Sequence, residues 1–262
     1  MTKTLRTSYD QNRDQVRLTY FAQPLGARAV VICIQGLHGH LYDSTGSSDE
    51  TGNLINRLHA DLPDIAIAPM TYPWDLRRFK ANETLSAGGI AHEIADALNE
   101  TIFDHCHTVV ILGHCLGGLL TTLALPHLLH TRVDLIHRLR VNKNRLVVFL
   151  LDSPHDLPKC RLSNFHVGLL KALRLPQAAM RENARFWQWH VLTDGPDKIP
   201  IEAYAVTSKA ESWVTPLNPT AGLSAFQVCQ VTISHEALVQ VPMAGPFEPY
   251  DFVLERLREA LP

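Results

Sequence analysis

The sequence predicts an α/β fold with a mostly parallel central sheet flanked by helices, and two observations carry that reading. Apolar strand-like runs alternate with segments of helical periodicity along most of the chain, the pattern that builds parallel sheets. Residues 109–118 then read Val-Val-Ile-Leu-Gly-His-Cys-Leu-Gly-Gly, an apolar run entering a Gly-x-Cys-x-Gly-Gly turn that leaves into a helix start. A strand before and a helix after are the context a nucleophile elbow requires. The glycines fit the same turn: Gly113 and Gly117 flank the strained residue 115, and Gly118 allows close approach of helix and sheet.

Taken in order, residues 15–22 alternate weakly and suit an early antiparallel strand. Residues 29–34 form a continuous apolar run, expected of a central strand buried on both faces. A short helix is expected over 49–59 and a strand over 65–69. Ile90, Ile94, Leu98 and Ile102 recur at helical spacing, predicting an amphipathic helix over roughly 88–103. The elbow strand, a helix from Leu116 and a strand over 146–151 follow. Residues 153–198 break the rhythm, punctuated by Pro154, Pro158, Pro176 and Pro196, with Met180, Ala184, Trp187 and Val191 on one helical face. This segment is expected to be a helical cap inserted into a core of residues 1–152 and 199–262; the plainer alternative is that its apolar face packs on the core. Strands over 199–206 and 226–233 and a closing helix carrying Val253, Leu254, Leu257 and Leu261 complete the chain.

The 262 residues suit one domain, or one domain with an inserted cap. Apolar content of 46% and charged content of 19% are those of an ordinary globular protein. A net charge of −2 and a pI near 6.7 leave no basic footprint for nucleic acid. The first twenty residues are polar and charged, so no secretory core segment is expected, and no apolar stretch approaches bilayer-spanning length. Five cysteines without a repeating spacing favour free thiols and a cytoplasmic setting over a disulfide framework. No cofactor is expected. Gly88 and Gly89 lack a phosphate-loop context, and His105-Cys106-His107 lacks the separated ligands of a structural zinc site.

Cys115 is the candidate nucleophile. A thiol reacts as the thiolate, so it needs a base nearby, a cation or a helix N-terminus, and residue 115 opens a helix. In a fold built on this elbow the partners follow in chain order, nucleophile, acid, histidine, each at the C-terminal end of a strand. His235, just past the last strand, is the best placed of fourteen histidines. Glu211, beyond the penultimate strand, is the preferred acid, with Asp152 at the end of strand 146–151 as the alternative; the order rule permits both. The backbone N–H groups of Leu116 and Leu37 are expected to form the oxyanion hole, with Gly36 and Gly39 allowing the loop to bend. His38 and Trp187 are candidate substrate contacts, and His114 is expected to pack beside the elbow.

Four stretches carry a family likeness. Gln-Gly-Leu-His-Gly-His at 35–40, Gly-His-Cys-Leu-Gly-Gly at 113–118, Leu-Asp-Ser-Pro-His at 151–155 and Ser-His-Glu-Ala-Leu at 234–238 resemble a lipase-type α/β-hydrolase. The chain is similar, over about residues 29–240, to lipase-like serine esterases of the GPI inositol-deacylase and lecithin–cholesterol acyltransferase kind. The stretch 180–186 also resembles the cap helix of that group. Two departures stand out: Gln35 where the group has histidine, and Cys115 where it has serine. Cysteine elbows on this fold also occur in dienelactone hydrolases and polyhydroxyalkanoate synthases. Two readings of the thiol stay open, a native cysteine or an engineered Ser-to-Cys change in a serine hydrolase.

The expected chemistry is hydrolysis of a carboxylic ester or thioester through an acyl-enzyme on Cys115. The apolar 180–191 face suggests a small-molecule or lipid-like acyl substrate. Because a thioester intermediate is reactive toward amines and thiols, an acyltransferase is the first alternative. A non-catalytic binding protein that keeps the fold is the second.

Overall fold

A computed structural model of the chain describes residues 16–23, 26–36, 54–72, 86–101, 106–141, 144–153, 177–209, 227–235 and 237–261. Its centre is a sheet of seven strands: β1 (Arg17–Leu18), β2 (Ala29–Ile34), β3 (Ala66–Thr71), β4 (Thr108–His114), β5 (Arg145–Leu151), β6 (Ile201–Ser208) and β7 (Gln227–Val231). They lie in the order β1-β3-β2-β4-β5-β6-β7. The short β1 runs antiparallel to β3; every other pairing is parallel. The direction of winding reverses between β2 and β4, and such a switch point opens a crevice at the strands' C-terminal ends.

The apolar runs are strands because both faces of the sheet are covered. Along β5, Leu146, Val148 and Leu150 enter one core, and Val147, Phe149 and Leu151 enter the other. The same period-2 division holds in β2 and β4, so no strand can slip one residue without exchanging its two faces. On one face lie α2 (Ala87–Thr101), α3 (Leu116–Thr131) and α4 (Val133–Val141); on the other lie α1 (Leu54–Asp61) and α6 (Glu248–Ala260). In α2, Ile90, Ile94 and Leu98 form the buried stripe that the spacing predicts. The expected helix over 49–59 is described from Leu54 onward, its first residues lying outside the described set.

Helix α3 is apolar on all sides, since it is sandwiched between the sheet and other helices. It contains Pro126, which has no N–H to offer the carbonyl four residues back. That carbonyl belongs to Thr122, and the indole N–H of Trp187 donates to it at 3.0 Å. Trp187 opens a π-helical turn (Trp187–Leu192) that continues α5 (Gln177–Phe186). Asn183 on α5 adds a bond from its side-chain amide to the Thr122 hydroxyl, at 3.3 Å.

The second half of the expected cap can be placed. Residues 177–192 belong to the crossover that a parallel β5–β6 pair requires, and Trp187 and Val191 pack into the core beside α3. The apolar face was read correctly as a face, but its partner is α3. Residues 154–176 of the expected cap lie outside the described residues.

Candidate active site

The C-terminal ends of β2, β4 and β5 share one edge of the sheet, where Ile34 pairs with Gly113, and His114 pairs with Leu151. Cys115 follows directly, with φ 53° and ψ −125°, a left-handed conformation that a residue bearing a Cβ adopts only at a cost of about 1–3 kcal/mol. The surroundings hold it there. Its N–H donates to the Leu151 carbonyl at 2.9 Å, and its carbonyl accepts from the Gly118 N–H at 3.1 Å. A Cβ on Gly117 would collide with the Ile34 carbonyl, so only glycine lets α3 start this close to β2.

Asp152 ends β5 as Cys115 ends β4, and it too lies at positive φ (43°). Its carboxylate is buried and shared between two partners. Oδ2 lies 2.7 Å from Nδ1 of His235, and Oδ1 accepts the Ser208 N–H at 3.1 Å. Ser208, at the end of β6, donates its hydroxyl to the carbonyl of Ile233 and so ties the His235 loop to the sheet. Asp152 and His235 are 1% and 4% exposed, which makes this contact a buried pair.

With Nδ1 taken by the carboxylate, the other ring nitrogen is left for the Cys115 thiol, which lies close enough to influence the charge of the ring. Thiol, imidazole and carboxylate are thus gathered at one end of the sheet, with the imidazole–carboxylate contact at 2.7 Å. Burial works against a charged imidazole, but the hydrogen bonds to Asp152 and Cys115 and their charges outweigh it, and the His235 pKa is pushed up to about 9. His114 stacks on the His235 ring with centroids 4.5 Å apart, and its Nε2–H donates to the His235 carbonyl at 3.3 Å. The structure thus brings Cys115, His235 and Asp152 together at the C-terminal ends of the strands.

Glu211, the acid preferred from sequence, lies outside the described residues, as do Leu37 and His38. Leu116 is the first residue of α3, so its N–H has no acceptor within the helix and faces the nucleophile end. Trp187 must be corrected: it is 1% exposed, with its N–H given to Thr122, and core packing leaves it no face for a substrate. Trp189, by contrast, is 66% exposed. Sequence reasoning overlooked Tyr72 and Ser208. Each stands at the C-terminal end of a parallel strand, which is the signal that marks a residue near this edge.

No protein-family profile and no curated protein sequence matches this chain. Solved structures do. Esterase B from Lactobacillus rhamnosis superposes with a TM-score of 0.60 at 16% identity, covering 99% of this chain and 84% of that one. The chain has the α/β-hydrolase fold. A lipase-esterase related protein from Clostridium acetobutylicum (TM-score 0.51, 11% identity, 94% and 100% covered) shares it. So does the esterase Pf2001 of Pyrococcus furiosus (0.51, 12%, 94% and 88%). At these identities the likeness concerns the fold, and the chemistry has to be argued from the site. No described helix is long and apolar enough to cross a membrane.

Proposed function

We propose that this protein is an acyl hydrolase acting on carboxylic esters or thioesters through a covalent intermediate on Cys115. The observation that carries the reading is the constellation itself: a thiol strained at a strand-to-helix turn, beside a buried imidazole whose Nδ1 is held by Asp152 at 2.7 Å. Structural likeness to esterases and a lipase-related protein supports the class. In this reading Asp152, not Glu211, is the acid, because it already occupies Nδ1 of His235.

The thiol proton passes to His235 and the sulfur attacks the substrate carbonyl. The Leu116 N–H, with that of Leu37, stabilises the oxyanion. His235 then gives its proton to the leaving alcohol or thiol as the carbonyl re-forms, leaving a thioester on Cys115. Water, activated by the freed imidazole, releases the acid and restores the thiol. Asp152 keeps the ring oriented and offsets the imidazolium charge.

Release of nitrophenol from p-nitrophenyl esters of several chain lengths tests the reading. Turnover is expected from the wild type and not from Cys115→Ala or His235→Ala. After brief exposure to an acylating reagent, mass spectrometry should find the adduct on Cys115 and not on Cys33, whose thiol burial pushes up to about 12. Wild-type rates equal to those of Cys115→Ala would end the proposal. Faster release on adding an amine or thiol acceptor would redirect it to acyl transfer.

A further inference from the structure

Tyr72 follows β3 directly and is buried, 3% exposed. Its hydroxyl donates to the carbonyl of Gln35 at 2.9 Å. Gln35 lies one residue past β2, beyond the last ladder pairs that β2 makes with β3 and β4 (Ile34 with Met70 and with Gly113). Its carbonyl therefore has no strand donor, and a buried carbonyl without one is costly. The tyrosine supplies the missing donor from the neighbouring strand.

What that carbonyl carries matters for the chemistry. A Cβ on Gly36 would lie 2.7 Å from the Cys115 Cβ and 3.2 Å from Nδ1 of His114, so the backbone at residue 36 is in contact with the nucleophile and its neighbour. A Cβ on Gly117 would lie 2.5 Å from the Gln35 carbonyl oxygen. The Gln35 carbonyl is thus clamped between the Tyr72 hydroxyl and the first turn of α3.

We propose that Tyr72 is a positioning residue for the reacting thiol: by holding the Gln35 carbonyl, it fixes the backbone at Gly36 against Cys115. This rests on Cys115 as the nucleophile. Tyr72 touches no reacting atom and transfers no proton. Burial, reinforced by the charge of Cys115, holds its phenol well above the ordinary value of 10.0, so it stays a donor through the working pH range. Loss of the hydroxyl leaves the ring in place and frees the Gln35–Gly36 backbone to turn its carbonyl elsewhere. Small displacements of a nucleophile are expensive, on the order of a hundredfold in rate for about 1 Å.

The test compares Tyr72→Phe with the wild type on p-nitrophenyl butyrate and by amide hydrogen exchange at Gln35 and Gly36. Tyr72→Phe is expected to lower kcat about ten- to a hundredfold with KM within about twofold, since the displaced group is the nucleophile and not the binding surface. Exchange at Gln35 and Gly36 is expected to speed up while exchange in β5 stays unchanged. Unaltered kcat in a wild type that turns over, or a change confined to KM, would overturn the proposal. A wild type no faster than Cys115→Ala would instead defeat the enzymatic reading. The exchange measurement then decides alone, and equal protection at Gln35 and Gly36 in both proteins would refute the anchoring role.

Discussion

Trp187 repairs a break that Pro126 makes in a neighbouring helix, its indole N–H standing 3.0 Å from the Thr122 carbonyl in place of the missing backbone donor. The bond joins the β5–β6 crossover to the helix that begins directly after Cys115. Both partners are buried, so neither finds water as a substitute.

Trp187→Phe should therefore cost about 1–3 kcal/mol of stability in urea denaturation, the penalty for a buried carbonyl left without a donor. Trp187→Ala should cost about 3–5 kcal/mol, because a cavity is added. In a Pro126→Ala background, where the backbone N–H returns, the cost of Trp187→Phe should shrink. Equal costs in both backgrounds would show that the proline is not what the indole compensates.

Asp152→Asn keeps the size of the side chain and removes its charge. The ring of His235 then meets an amide at Nδ1, which can impose the wrong tautomer. A fall of about 10⁴ in kcat is expected by analogy with the serine-protease triad. Glu211→Gln should leave kcat within a few-fold of the wild type. The reverse ranking, measured on one ester substrate, would transfer the acid role to Glu211.

The elevated His235 pKa makes a prediction about pH. Its value in an unfolded chain is near 6.5 and in the folded protein about 9, so the folded state binds this proton more tightly. The associated stabilisation is fully present below about pH 6.5 and is lost as the pH rises through about 9. The imidazole C–H resonance in an NMR titration should show a midpoint near 9 in the wild type. It should move down in Cys115→Ala and in Asp152→Asn, since burial alone favours the neutral ring. A midpoint that neither substitution moves would mean that the two partners do not set the charge of the ring.

Much of this was legible in the chain itself, for physical reasons that differ from element to element. Strand 29–34 was read with its final limits because burial on both faces demands an unbroken apolar run. The tight strand-to-helix turn was legible because glycine is forced at 113 and 117 by close approach of backbone to backbone, and at 118 by the Ser153 side chain. The partner of an apolar helix face is not written in its periodicity, which is why the contact of Trp187 and Val191 with α3 was not readable in the 153–198 segment. The choice between Asp152 and Glu211 was open under the order rule. One local signal favours the aspartate: a residue at positive φ is more readily aspartate than glutamate, and position 152 is at 43°. The Trp187–Thr122 bond was not readable, because it joins residues 65 positions apart whose meeting depends on the finished packing.

Ser208 gives its amide to Asp152 and its hydroxyl to the chain just before His235, so a single residue grips both members of the buried pair. Acid and base are therefore coupled like two parts on one bracket and drift together when the edge of the sheet breathes. The sulfur stands on the turn between β4 and α3, and that turn is tied to the same pair, by the Cys115 N–H on the Leu151 carbonyl and by His114 on the His235 carbonyl. A change at residue 208 would therefore reach carboxylate and imidazole at once, while the turn that carries the sulfur kept its own hold on Leu151.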